Sequence, residues 1–168
     1  ALFGPTGSGR IHEHNLQPAT TLTMGTLSKA LAGYGGYICG TALLRQHLIQ
    51  TSRSFIYTTA PPPAQLGTAL GALEILENEP DLGTRLLEKA AHFRKALQSH
   101  GLNTLQSASQ IIPIVIGDNH QAMHIAASLK EQDILVGAIR PPTVPEGTAR
   151  LRISLTLPPP GADIDRAT

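Results

Sequence analysis

The sequence predicts an α/β protein, and two patterns carry that prediction. In the middle of the chain, leucines recur at the spacing of one helix face: Leu66, Leu70, Leu73 and Leu76. Towards the carboxy terminus, short apolar runs at residues 111–116, 136–139 and 149–155 alternate with helical patterns. This alternation predicts a small α/β domain that begins at about residue 81.

The amino-terminal part predicts loops and short elements. Closely spaced glycines indicate a loop over residues 4–17. A Thr-rich run at residues 19–24 predicts a strand, and residues 37–40 predict a buried strand with Cys39 as a small core residue. Residues 43–51 predict a short helix, and residues 54–57 predict a further short strand.

The remaining elements are helices and strands with recognisable ends. The prolines at residues 61–63 predict the start of a helix that runs to Asn78. A second helix is expected from near Pro80, with Asp81 in its first turn, and His100 and Gly101 mark its end. Its predicted buried face is Leu82, Leu86, Ala90, Phe93 and Leu97.

Two further helix starts are predicted in the carboxy-terminal part. Asn119 is expected to cap a helix that carries Ala122, Ile125, Ala126 and Leu129. Residues 163–168 resemble the beginning of another helix.

Composition narrows the classes of function. The 168 residues include 13 basic and 12 acidic side chains, for a formal charge of +1. No basic patch for nucleic acid is expected, and no apolar run reaches the roughly 20 residues that span a bilayer. The single cysteine excludes an internal disulfide and favours a cytoplasmic location.

A lysine in a glycine-flanked segment is the first candidate for chemistry. Lys29 follows Thr26 and Ser28, and hydroxyls so close to a lysine could hold the phosphate of a cofactor that the amine binds covalently. The spacing alone favours a solvated surface lysine after a strand.

Other candidates also have plain structural alternatives. The segment GPTGSGR at residues 4–10 is either a phosphate-binding loop or a surface loop, and His12 and His14 lack a third metal ligand. Thr58 and Thr59 could bind an anion or cap a helix. Arg140 and Arg152 could each clamp a carboxylate or lie exposed.

The order and wording of these segments carry a resemblance to a known family. Residues 26–33 (TLSKALAG) with Gly35, Gly36 and Tyr37 are similar to the cofactor-lysine segment of the α-oxoamine synthases, which are fold-type I pyridoxal-phosphate (PLP) enzymes. The segments GPTGSGR and SFIYTTAPP at residues 4–10 and 54–62 resemble family segments in the same order. The resemblance implies a large three-layer α/β/α domain, of which residues 1–80 form the carboxy-terminal part, followed by a small α/β domain over residues 81–168.

The resemblance also implies residue roles. Lys29 would carry PLP and remove the Cα proton of the bound amino acid. Thr26 would bind the cofactor phosphate, and Thr58 and Thr59 would reach it across the interface of a homodimer. Thr143 would touch the substrate, and Arg152 would pair with the amino-acid carboxylate. No metal is implied.

Two segments indicate a particular branch of the family. Residues 139–152 (IRPPTVPEGTARLR) and 116–119 (IGDN) are similar to the member that condenses L-alanine with a pimeloyl thioester in biotin biosynthesis. The acyl carrier would be coenzyme A or an acyl-carrier protein. Glycine C-acetyltransferase, or another family member, remains the alternative.

Two departures accompany the resemblance. The family Asp and His that contact the PLP ring are expected before Ala1, so we expect a carboxy-terminal fragment with little or no turnover by itself. A non-catalytic fragment that needs its upstream half is therefore a second hypothesis. The second departure is the proline run at residues 158–160, where the family shows small residues and then His.

Overall fold

The computed structural model describes residues 1–17 and 22–157. These residues form helices and strands, in keeping with the predicted α/β class. The chain divides into two compact units, Ala1–Thr84 and Arg85–Thr168. Part of the predicted strand at residues 19–24, the proline run at residues 158–160 and the helix start at residues 163–168 lie outside the described residues.

The first unit begins with short turns and an antiparallel hairpin. A 3-10 turn over Pro5–Gly7 and the short helix α1 (Arg10–Glu13) precede strands β1 (Leu22–Thr26) and β2 (Gly36–Gly40). In the register of the hairpin, Gly25 lies opposite Tyr37. A Cβ atom on Gly25 would collide with the Tyr37 ring, so glycine makes room for the ring to cross the partner strand.

The strand prediction for residues 37–40 is confirmed, but the prediction that they are buried is wrong. Every residue of β2 is exposed, and the Cys39 thiol is exposed with them. The physical reason is that few side chains in the described part of this unit are buried. The buried apolar side chains there are Leu31 and Ala69. A two-stranded sheet without a covering element leaves both of its faces open.

Three helices complete the first unit. Helix α2 (Ala42–Thr51) is capped by Thr41, whose Oγ1 accepts a hydrogen bond of 3.2 Å from the Leu44 N–H. Helix α3 (Arg53–Ile56) follows, and helix α4 (Pro63–Asn78) begins at a proline, as predicted. None of the helices in the described ranges is long and apolar enough to cross a membrane.

The predicted strand at residues 54–57 is wrong, because these residues lie in α3 and its last turn. The Ser52 carbonyl accepts hydrogen bonds from the N–H groups of Phe55 (3.0 Å) and Ile56 (2.9 Å). A short apolar run does not distinguish the spacing of a helix from that of a strand. Without a partner strand, the backbone N–H groups of this segment bond to nearby carbonyls in a helical turn.

Helix α5 (Leu82–Ser99) ends in a defined stop signal. Gly101 has a φ of 77°, the Gly101 N–H donates to the Gln98 carbonyl, and the Leu102 N–H donates to the Leu97 carbonyl. This is the Schellman pattern, which explains why the predicted end at Gly101 is confirmed. Asp81 precedes the helix, so its predicted place in the first turn is wrong by one residue.

The second unit contains a three-stranded antiparallel sheet with the order β3-β5-β4. Its strands are β3 (Ile111–Gly117), β4 (Gly137–Ile139) and β5 (Ala149–Ser154), and helix α6 (Asn119–Lys130) joins β3 to β4. Because β3 and β4 are both antiparallel to β5, they run parallel to each other as a split βαβ unit.

The cap of α6 differs from the prediction by one residue. Asp118, rather than Asn119, is the N-cap, and its Oδ1 accepts a hydrogen bond of 2.8 Å from the Gln121 N–H. Asp and Asn are both favourable N-cap residues, so the residue type does not distinguish Asp118 from Asn119. The backbone conformation determines which of the two is the cap.

The core of the second unit lies between the sheet and its helices. Phe93 and Leu97 of α5 are buried against Ile112, Ile114 and Leu151 of the sheet, together with Ala90. Along β5, Ala149 and Leu151 are fully buried, whereas Arg152 and Ser154 are exposed. The alternation of a strand therefore places the even-numbered residues of β5 on the face away from the core.

Replacement of Phe93 by alanine tests this core. Phe93 is 1% exposed, so Phe93→Ala should lower the free energy of unfolding by about 3–5 kcal/mol. Leu135 is 85% exposed, and Leu135→Ala should change the free energy of unfolding by less than about 0.5 kcal/mol. Urea denaturation followed by circular dichroism measures both values. Equal losses for the two variants would contradict the assigned core.

Candidate functional site

The turn between β1 and β2 carries Lys29 and is closed by main-chain hydrogen bonds. The Leu27 N–H donates to the Gly35 carbonyl (2.9 Å), and the Gly33 N–H donates to the Leu27 carbonyl (2.8 Å). The Ala32 N–H donates to the carbonyl of Lys29 itself (3.0 Å). The Leu31 side chain, two residues after Lys29, is buried at 9% exposure. The backbone at Lys29 is therefore fixed from both sides.

Side-chain hydroxyls add a second set of bonds to this turn. Thr26 Oγ1 lies 2.7 Å from Ser28 Oγ, accepts from the Ser28 N–H at 3.2 Å and lies 3.2 Å from the Gly35 carbonyl, to which it can donate. A hydroxyl has one proton to donate, so Thr26 donates either to Gly35 or to Ser28. When Thr26 donates to Ser28, the proton of the Ser28 hydroxyl is available for an anion.

The Lys29 side chain is exposed at this turn. Within residues 1–17 and 22–157, no carboxylate or carbonyl contacts its Nζ. An amine that projects from a fixed turn without an ion-pair partner can react with an aldehyde.

Thr58 and Thr59 lie in the segment between α3 and α4, and both are exposed. The alternative that they cap a helix is wrong, because the N-cap of α4 is Pro62 and no side chain caps it. Their hydroxyls have no hydrogen-bond partner among the described residues, so they remain open to a ligand.

The glycine-rich segment at residues 4–10 folds upon itself. The Gly9 N–H donates to the Phe3 carbonyl (2.7 Å), and the Gly7 N–H donates to the Gly4 carbonyl (3.1 Å). The Arg10 guanidinium stacks 3.7 Å from the centroid of the Phe3 ring and pairs with Glu13 at 2.9 Å. These donors serve the loop itself, so the geometry favours a structural loop over a phosphate-binding one.

His12 and His14 are also candidate metal ligands. His12 and His14 are exposed, and no group of three or more His, Cys, Asp or Glu side chains gathers anywhere in the described ranges.

The second unit holds the other candidate residues. Arg152 lies on the central strand β5, opposite Pro113 of β3 and Gly137 of β4, and its side chain is exposed. Arg140 and Thr143 lie in the loop that joins β4 to β5, where the Thr143 N–H donates to the Arg140 carbonyl at 3.0 Å. The even-numbered face of β5 thus presents the exposed Arg152 guanidinium, opposite Gly137 at the end of β4 away from this loop.

Two contacts could not be read from the sequence. The Ser28 hydroxyl, a candidate by its position, bonds directly to Thr26, and Arg150, which was not a candidate, bonds to Thr148 at the end of the β4–β5 loop. The sequence signal that could have indicated the Arg150–Thr148 contact is the twofold period of a strand, which places residues 148, 150 and 152 on one side of an extended chain.

The fold and these segments define a family. The chain belongs to the class I and II aminotransferases, whose family pattern it matches over residues 3–165. PLP is the cofactor of this family. The predicted family and the α/β class are therefore confirmed.

Particular relatives are similar to the chain over most of its length. The 8-amino-7-oxononanoate synthase of Xylella fastidiosa is 45% identical over 92% of this chain and 39% of its own length. That of Anaeromyxobacter dehalogenans is 39% identical over 98% of this chain and 41% of its own length. The chain thus spans about two-fifths of the length of the curated relatives it matches.

Solved structures of two enzymes share the fold. The 8-amino-7-oxononanoate synthase of Francisella tularensis has a TM-score of 0.84 at 31% identity, over 99% of this chain and 49% of its own. The serine palmitoyltransferase of Sphingomonas wittichii has a TM-score of 0.92 at 25% identity, over 99% of this chain and 42% of its own.

A hydrogen-exchange experiment tests the hydroxyl arrangement beside Lys29. Thr26→Val removes the acceptor of the Ser28 N–H, so exchange at that amide should become about three- to tenfold faster. Thr26→Ser keeps the acceptor and should leave the rate close to that of the parent. Amide exchange followed by NMR measures both. Equal rates in all three proteins would contradict the role of Thr26 Oγ1.

Proposed function

We propose that this chain carries the cofactor lysine of a PLP-dependent acyltransferase of the 8-amino-7-oxononanoate synthase type. The observation that carries the proposal is the hydrogen-bonded turn at Lys29, where an exposed lysine directly follows the bonded Thr26–Ser28 hydroxyl pair. The reaction is the condensation of L-alanine with a pimeloyl thioester, which releases CO2 and the thiol carrier and gives 8-amino-7-oxononanoate for biotin biosynthesis.

The chemistry of this turn fits PLP. The cofactor offers an aldehyde to an amine and a phosphate to hydroxyl donors, and both kinds of group lie within the turn. When bound, PLP supplies an electron sink for the bonds at the amino-acid Cα atom. Thr26 and Ser28 would hold the phosphate together, with the Ser28 hydroxyl donating to it when Thr26 donates to Ser28.

The residues of the chain have separate tasks in the proposed reaction. Lys29 Nζ would hold the cofactor covalently. Once the amino group of the substrate has taken its place there, the released Lys29 amine would accept the Cα proton of the amino acid. The exposed Arg152 guanidinium pairs with the amino-acid carboxylate, which orients the substrate for that proton transfer. Thr143 contacts the substrate from the β4–β5 loop.

The proposal extends to partners and location. Thr58 and Thr59 have free hydroxyls in an exposed segment, which suits a phosphate contact made across the interface of a homodimer. The acyl group arrives on coenzyme A or an acyl-carrier protein, and the reaction takes place in the cytoplasm. Residues 1–80 belong to the large PLP-binding domain, and residues 81–168 form the small domain.

Sequence identity favours this branch over other members of the family. The TM-score is higher for the serine palmitoyltransferase (0.92) than for the 8-amino-7-oxononanoate synthase structure (0.84), but its identity is lower (25% against 31%). Backbone similarity is shared by enzymes with different substrates, whereas specificity depends on side chains. The curated relatives at 39–45% identity therefore weigh more for the substrate.

A visible absorbance band tests the cofactor lysine. The chain mixed with PLP should develop a band distinct from that of free PLP, and Lys29→Ala should abolish it because the reacting amine is gone. Lys95 is also an exposed lysine, and Lys95→Ala should retain the band. A band that survives Lys29→Ala would contradict the assignment.

A comparison of amino acids tests the substrate. In a product assay with pimeloyl-coenzyme A, L-alanine should give the largest kcat/KM, at least about tenfold above glycine and L-serine. Pimeloyl-acyl-carrier protein serves as the second thioester. Higher kcat/KM with glycine or L-serine would favour another member of the family.

A further inference from the structure

The two arginines of β5, Arg150 and Arg152, lie on the same face of the strand but have different surroundings. Arg152 is exposed and has no hydrogen-bond partner among the described residues. Arg150 is half-buried, between Val115 of β3 and Ile139 of β4 in the sheet register. A different role for each is therefore expected, and the contacts of Arg150 indicate what its role is.

Arg150 makes a two-point contact with the end of the β4–β5 loop. Its Nε donates to the Thr148 carbonyl at 3.1 Å, and its NH2 group donates to Thr148 Oγ1 at 3.1 Å. The planar guanidinium supplies both donors in a fixed geometry, which a lysine ammonium cannot reproduce. No carboxylate pairs with Arg150 within the described ranges, so the loop is its partner.

Thr148 passes this constraint further along the loop. Its Oγ1 donates to the Pro145 carbonyl at 2.7 Å, and its N–H donates to the same carbonyl at 3.2 Å. A continuous series of bonds therefore runs from the guanidinium of Arg150 through Thr148 to Pro145.

The loop depends on such side-chain bonds because prolines limit its main-chain bonding. Pro141, Pro142 and Pro145 have no N–H group to donate. At its other end, the Thr143 N–H donates to the Arg140 carbonyl, directly after β4. Thr143 is thus bracketed by two fixed points, one at Arg140 and the other at Pro145.

We propose that Arg150 is a positioning residue that sets substrate affinity by holding the β4–β5 loop in the conformation that presents Thr143. The inference rests on the proposed function for the part that concerns substrate, because Thr143 is the proposed substrate contact. The guanidinium acts through Thr148 and Pro145 and does not touch the substrate. The two arginines of β5 thereby divide the work, since Arg152 binds the carboxylate and Arg150 shapes the loop.

Hydrogen exchange on the whole chain tests the loop directly and needs no catalysis. In Arg150→Lys and Thr148→Val, the amides of Thr143 and Thr148 should exchange about tenfold faster, because one or both ends of the bond series are lost. Amides of β3 should keep their rates, which shows that the unit stays folded. Thr148→Ser retains the hydroxyl and should restore slow exchange.

Arg152→Lys is the matched control for this experiment. It makes the same substitution two residues along the same strand, at a guanidinium without a loop contact, so loop exchange should not change. Unchanged exchange in Arg150→Lys and Thr148→Val, or an equal effect in Arg152→Lys, would overturn the proposal.

Kinetics test the consequence for substrate. Arg150→Lys and Thr148→Val should raise the KM for L-alanine or for the thioester about tenfold, with kcat within about twofold of the parent. Faster loop exchange without a change in either KM would refute the positioning role. Little or no turnover is expected of the chain by itself, so where turnover is absent the exchange rates alone decide the loop claim. A missing PLP absorbance band would count against the proposed function and would leave the loop claim intact.

Discussion

The hydrogen bonds around Thr26 Oγ1 fix the backbone from which Lys29 projects, and the proposed chemistry depends on that constraint. A flexible lysine has many rotamers and loses most of them on reaction, so a fixed backbone limits the remaining entropy cost to the side chain. The turn achieves this with the Leu27, Gly33 and Ala32 N–H donors and with the bond between Thr26 and Ser28. The hairpin behind it contributes little burial, which makes the local bonding more important.

The second unit obtains its order from a different source. Phe93 and Leu97 bury one face of the sheet, and the twofold period of β5 then directs Arg150 and Arg152 to the other face. The same strand that closes the core therefore presents two cations on its other face, and Arg150 is the one that contacts the β4–β5 loop. Packing and chemistry are coupled here, because a one-residue shift of β5 would bury the arginines and expose Leu151.

The sequence predicted best where a pattern is long enough to have a period. The helices that contain Leu66 and Phe93 and the strands of the second unit were expected on that basis and are present. Residues 54–57 were predicted as a strand and are helical, since a run of this length cannot distinguish the two periods. Cys39 was expected in the core and is exposed, because burial depends on covering elements that the strand itself does not specify.

The candidate residues came from a resemblance, and the structure adds local detail that motifs do not contain. The contacts of Ser28 with Thr26 and of Arg150 with Thr148 follow from hydroxyl and guanidinium geometry. Motif spacing placed Lys29 and Arg152 among the candidates but did not indicate which neighbours hold them.

The most direct test of the account is borohydride reduction of the chain with PLP, followed by peptide mapping by mass spectrometry. Reduction makes the bond between a lysine and the cofactor permanent, so the modified residue can be identified. The account predicts one modified peptide, which contains Lys29. Label distributed over Lys95 and Lys130 as well, or absent from Lys29, would contradict the claim that this turn carries the cofactor.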